Sequence, residues 1–241
     1  MILLAFALLQ AAPPSDQALM QRCLDSVRAD AETGITTANE WLISGGGIDA
    51  RQCLGLAYSA AERWAPAATA FEQAARDAET ARDPRRADLW VKSGNAWLAA
   101  DDPAKAIAAF DAALASTELS AELRGEVHLD RGRALVAQNN LAAARTEFDS
   151  GVKLVPTDPF GWYLSSALAL RMDDLARARS DIAEAIRLAP AEAGFWLHAG
   201  NVAGRSGELE GARGMYARAA RLAPGTDIAK AAEAAIRANA E

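Results

Sequence analysis

Two histidines, two cysteines, two aspartate pairs and a run of three glycines are the features of this 241-residue sequence whose types could support chemistry. His128 and His198 each lack a second His, Cys or carboxylate at ligand spacing, so packed or half-exposed imidazoles are expected rather than a metal site. Asp101-Asp102 and Asp173-Asp174 have the composition of a general acid–base couple. Each pair, however, stands just before a helical pattern, where a carboxylate caps open N–H groups and complements the helix dipole. Gly45-Gly46-Gly47 precedes a helical stretch as an anion-binding loop would, but no Lys-Ser/Thr follows it. Neither a G-x-S-x-G, a P-loop nor a dinucleotide fingerprint occurs. The sequence predicts no enzyme, no metal and no cofactor.

Cys23 and Cys53 are the only cysteines. They form either one disulfide, worth roughly 3–4 kcal/mol for a loop of about 30 residues, or two buried thiols acting as small apolar side chains. The choice follows the compartment. Residues 1–12, MILLAFALLQAA, resemble the apolar part of a secretory signal peptide ending in small residues, although no Lys or Arg precedes them and Pro13-Pro14 follows. The run is too short to span a bilayer. A periplasmic or secreted protein is the expectation, with a cytoplasmic one as the alternative.

Net charge is −7, and the acidic excess lies mainly in residues 1–124, where 17 Asp+Glu face 11 Lys+Arg. No basic stripe emerges, so nucleic acid is not an expected partner. Hydrophobic residues make up 51% but aromatics only 6%, with alanine in nearly every segment. That balance favours helices packed closely through small side chains over a sheet of β-branched residues.

The elements that must carry these residues recur. AIRLAPAEAGFWL at 185–197 stops at Pro190 and restarts at Trp196; Pro156 and Trp162 stand 34 residues earlier, and AARLAP returns at 219–224. A small residue at Gly55, Gly94, Gly132, Ser166 or Gly200 is followed twelve later by Ala67, Ala106, Ala144, Ala178 or Ala212. Four further on comes a large one: Phe71, Phe110, Phe148, Ile182 or Tyr216. Another small one follows three later, at Ala74, Ala113, Gly151, Ala185 or Ala219. Each copy reads as two helices joined by a tight turn, crossing where small residues let backbones approach. Proline then prevents the second helix from continuing.

This pattern resembles the tetratricopeptide repeat (TPR) family, whose signature runs W-x2-L-G-x2-Y, then A-x3-F, then P. Trp90, Gly94, Trp97, Ala106 and Phe110 carry it in one copy, and Trp196, Gly200, Ala212, Tyr216 and Pro224 in another. The resemblance implies an all-α, right-handed α-solenoid of stacked helix-turn-helix repeats. Five units are expected at 48–81, 87–120, 125–158, 159–192 and 193–226. A degenerate first pair is expected at 14–47, and a C-terminal capping helix at 227–241.

The resemblance also implies a non-enzymatic scaffold that binds a peptide segment of a partner in a concave groove lined by the first helices. One stripe at i, i+4, i+7 of each first helix would face it. Candidate groove residues are Val91, Asn95, Leu98, Leu129, Arg133, Tyr163, Arg171, Leu197, Asn201 and Arg205. Asparagine suits an extended backbone because it both donates and accepts, and the arginines suit carboxylates. The lysine-rich pattern of carboxylate-clamp members is absent, and Glu126 and Asp130 stand where basic residues would be needed. The rival reading is a self-assembling structural element of the cell envelope. The partner itself is not written in the sequence.

Overall fold

The structure, a computed structural model, describes residues 15–238. Residues 1–12, where the signal-like run is expected, lie outside the described part. Thirteen helices and no strands are found among the described residues. They are α1 (Asp16–Ala29), α2 (Ala31–Ile43), α3 (Gly47–Ala60), α4 (Trp64–Ala81), α5 (Arg86–Ala99), α6 (Pro103–Leu114) and α7 (Ala121–Ala137). There follow α8 (Leu141–Leu154), α9 (Pro159–Arg171), α10 (Leu175–Leu188), α11 (Ala193–Arg205), α12 (Leu209–Leu222) and α13 (Asp227–Ala238). The chain divides into two compact units, one ending at Ala96 and the other beginning at Trp97, with the division inside α5.

Each tight turn is built from one residue in the left-handed region followed by a helix cap. The left-handed residues are Glu62, Asp101, Asn139, Asp173 and Gly207. In every case the next residue's N–H reaches back to a carbonyl five residues earlier, as Asn140 does to Leu135 (2.9 Å) and Asp174 to Ala169 (2.9 Å). This double closure satisfies carbonyls that the helix end would leave open. The second residue of each polar pair then caps the new helix. Asp102 accepts from the Lys105 N–H, Asn140 from Ala143 and Asp174 from Arg177. The aspartate pairs thus divide their work between conformation and capping, as a short polar side chain permits.

Between pairs, a tryptophan fastens the restart. The Trp162 indole N–H donates to the Pro156 carbonyl at 2.8 Å, and Trp196 donates to Pro190 at 2.9 Å. Asp158 caps α9 through the Phe160 and Gly161 N–H groups. Proline stops one helix, its carbonyl takes the indole, and the indole belongs to the next helix.

Inside a pair, the conserved spacing has a steric cause. A Cβ placed on Gly55 would lie 2.5 Å from the Phe71 ring, and one on Gly132 would lie 2.5 Å from Phe148. Gly200 faces Tyr216 in the same way. The ring therefore rests on the glycine itself and holds the helix axes close. Where the second helix offers Ile182 instead of a ring, the glycine position holds Ser166, fully buried, its hydroxyl donating to the Ala178 carbonyl at 2.7 Å.

In the first unit, Cys23 of α1 and Cys53 of α3 are bonded, with Cα atoms 6.4 Å apart. Both are fully buried in a cluster with Ala38, Trp41 and Leu54. The Gly45–Gly47 run is a helix junction: the Gly45 and Gly46 N–H groups bond the Leu42 and Trp41 carbonyls. In the second unit, α13 adds Ala232, Ile228 and Ile236 to the cluster around Tyr216 and Ala219. It covers the last pair with apolar surface that would otherwise face water.

Candidate functional site

In the second unit the first helices of successive pairs touch in order: α7 meets α9, α9 meets α11, and α11 meets α13. Their starts are fixed by caps, Ser120 on the Leu123 N–H for α7 and Asp158 with Pro159 for α9. Two adjoining depressions lie along α7 and α9. An open hollow of about 470 Å³ is lined by Glu126, Leu129, Asp130, Asp158, Phe160 and Tyr163. A slot of about 240 Å³ is lined by Val136, Phe148, Leu164, Ala167 and Leu168, between Arg133 and Arg171. Arg133 and Leu164 belong to both, so the two form one groove.

The hollow is acidic and aromatic. Phe160 is 56% exposed, unusual for a phenylalanine, and its ring meets Phe195 edge-on at 5.3 Å. Tyr163 stacks on the same Phe195, which fixes both rings beside the hollow. Burial, together with the nearby carboxylates of Glu122, Asp130 and Asp158, pushes the Glu126 carboxyl above its ordinary value. Asp130 accepts from Arg133 at 2.8 Å.

The structure sorts the residues that the sequence placed on this face. Arg133, Arg171, Asn201 and Arg205 are exposed, Tyr163 and Leu197 are half-buried, and on α5 Asn95 is exposed and Leu98 half-buried. Val91 requires correction. It is 8% exposed, and between residues 87 and 99 only Asn95 and Ala99 are exposed, so α5 has no apolar stripe to offer there. Leu129 is only 4% exposed, yet it lines the floor of the hollow. Its methyls wedge against Gly151 and Gly161, where an added Cβ would crowd them, so it supports the hollow from below.

The arginines are engaged otherwise than as waiting carboxylate ligands. Arg171 donates to Asn139 at 2.7 Å and Arg205 to Asp173 at 2.6 Å, each reaching the turn of the preceding pair. Asn201 accepts from the Tyr216 hydroxyl at 3.0 Å through its carbonyl oxygen. Phe160, Asp158 and Leu164 are groove residues that the sequence stripes left out. Phe160 lies three residues before Tyr163, one turn back on the same helix face, so extending that stripe would have found it.

The polar side chains deeper in this unit form structural networks. Ser165 donates to Asp181, and Arg145 donates to the Ser165 hydroxyl at 2.6 Å. His198 bonds the Ser166 hydroxyl at 3.0 Å. Because that hydroxyl gives its proton to Ala178, the imidazole must donate through Nε2. Ser166 and Asp181 thus sit beside a histidine and a serine without forming a relay, since Asp181 bonds Ser165 and not His198. Among the described residues, no group of three metal-ligating side chains occurs.

Residues 54–121 and 167–227 match the family model described as tetratricopeptide repeat, together more than half of the chain. The chain belongs to the tetratricopeptide repeat family. Among solved TPR-like structures, PilW, a widely conserved type IV pilus biogenesis factor, has a TM-score of 0.75 at 17% identity, covering 91% of this chain and 98% of that one. PilF of Pseudomonas aeruginosa has a TM-score of 0.71 at 17% identity, covering 91% and 96%. YrrB, described as a TPR protein with an unusual peptide-binding site, has a TM-score of 0.58 at 18% identity, covering 91% and 100%. At such identities the likeness is one of fold. No curated protein matches the sequence. TPR proteins act through protein–protein interaction and are, as a rule, not catalysts. No described helix is long and apolar enough to cross a membrane.

Proposed function

We propose that this TPR protein is a scaffold that holds a peptide segment of a partner along the first helices α7, α9 and α11. The observation that carries this reading is the groove itself. An apolar slot runs into a hollow walled by an exposed phenylalanine and a half-exposed tyrosine, on the face made by successive first helices. An exposed apolar depression of this kind is stabilised when a partner covers it. Arg133, Tyr163, Arg171, Leu197, Asn201 and Arg205 would border the bound segment. The Asn201 carbonyl serves Tyr216, which leaves its two amide protons for a partner's backbone carbonyl. The peptide-binding site attributed to YrrB supports the general mode.

The cell envelope is the compartment we infer. The Cys23–Cys53 bond suits an oxidising environment, and the fold is shared with a pilus biogenesis factor.

Photo-crosslinking tests the groove. Benzoylphenylalanine placed at Ala167 in the slot should capture a discrete heterologous partner in living cells, and placed at Ala176 on the exposed face of α10 should not. Equal capture from both positions, or capture of further copies of this chain alone, would count against the groove and favour self-assembly.

A further inference from the structure

Resting on that reading, we propose that the α7–α9 groove selects a partner segment in which a lysine or arginine stands beside an apolar residue. The cation enters the hollow between the Glu126, Asp130 and Asp158 carboxylates and the rings of Phe160 and Tyr163. The apolar residue fills the slot lined by Val136, Leu164, Ala167 and Leu168.

Charge complementarity identifies this occupant. Three carboxylates line the hollow, and Arg133 is the one basic residue on its walls. Arg133 is already paired with Asp130, and Asp158 is fixed in place as the cap of α9. Glu126 makes no ion pair or hydrogen bond among the described residues, and its near neighbours Glu122, Asp130 and Asp158 share its sign. A carboxylate so placed is stabilised by an incoming cation and repelled by an incoming anion. The aromatic rings act in the same direction, because the face of a ring attracts a cation and rejects an anion. The slot gives the second half of the motif. It offers almost no polar surface apart from its two arginines, and those already bond Asp130, Asn139 and the Val136 carbonyl. Only an apolar side chain enters it without stranding a polar group.

Selection of a random dodecapeptide phage library on the full chain tests the proposal. Binding of the selected peptides, synthesised with fluorescein, is then measured by anisotropy. Enriched peptides should carry Lys or Arg next to an apolar residue. Replacing that base by norleucine should weaken binding about tenfold, an effect expected of one ion pair plus one cation–π contact. Glu126→Gln and Phe160→Ala, both at exposed positions, should produce the same loss while leaving helicity unchanged. The preference should also shrink as salt rises from 50 to about 500 mM. Enriched peptides without basic bias that still lose affinity in Ala167→Glu would overturn the cation selection and leave the groove reading intact. Failure to enrich any peptide, or binding indifferent to all three variants, would overturn both.

Discussion

The contact between Gly132 and Phe148 lends itself to a quantitative test, because two opposing effects of known size meet there. Gly132→Ala gains helix propensity, about 1 kcal/mol. It also puts a Cβ 2.5 Å from Phe148 Cε1 and 2.6 Å from Cδ1. Carbon atoms rest at roughly 3.5–4.0 Å, so the ring must retreat by about 1 Å. Phe148 is 1% exposed and packed among Leu129, Leu135 and Leu168, so the ring can retreat only by giving up those contacts toward the slot it lines. Overpacking of this kind costs about 2–3 kcal/mol, so a net loss of about 1–2 kcal/mol is expected. Gly214 in α12 supplies the control. A Cβ there meets nothing within 4 Å, so Gly214→Ala should stabilise by about 0.5–1 kcal/mol.

Stacked repeats need not unfold as one, so backbone amide exchange read by mass spectrometry is the suitable assay. Peptides from α7 and α8 should exchange about 5–30 times faster in Gly132→Ala. Those from α12 should slow in Gly214→Ala. The native pair Ser166 and Ile182 shows how to relieve the clash, so adding Phe148→Ile to Gly132→Ala should cost less than the two changes separately, by at least ~1 kcal/mol. Because Phe148 also lines the slot, the single variant should weaken peptide binding as well. If Gly132→Ala stabilises as Gly214→Ala does, or if the double variant is additive, the close helix contact has been misread.

Three further outcomes are expected. Reduction of the Cys23–Cys53 bond, which spans 30 residues, should destabilise helices α1 to α3 by about 3–4 kcal/mol, seen as faster amide exchange there and no change in α9 to α13. Glu62→Gly should raise stability by about 1 kcal/mol in urea melts, because Glu62 holds φ 56° at a turn where Gly207 serves the same role without a Cβ. His198 is held below its ordinary value by burial, with its bond to Ser166 opposing. The unfolded chain therefore takes up a proton near pH 6.5 that the folded chain refuses, and stability should fall as pH drops from 7 through 6. His198→Gln should flatten that slope relative to wild type, and equal slopes would show that the imidazole is not the group responsible.

The sequence by itself determined the repeat and its period, since each spacing answers to a short-range rule. A glycine sixteen residues before an aromatic ring, a polar pair before a helix and a proline after one are read locally, and together they dictate helix, turn, helix and stop. They reached the family, the all-α class and the capping helix. The turn chemistry was partly legible: the capping role of Asp102 and Asp174 followed from position, whereas the left-handed conformation of Asp101 and Asp173 appeared only in the backbone. The groove was legible only in outline. A stripe counted along one helix cannot know which flank its neighbours will cover, so Val91 was placed on a face where it is in fact buried. It likewise passed over Phe160, which stands exposed beside the hollow at the start of α9. Arg171, Arg205 and Asn201 are exposed, but their partners come from turns and helices 15 to 35 residues away. Hydrogen bonds over such separations depend on how one repeat is rotated against the next, and that rotation is a property of packing, which tertiary structure alone decides.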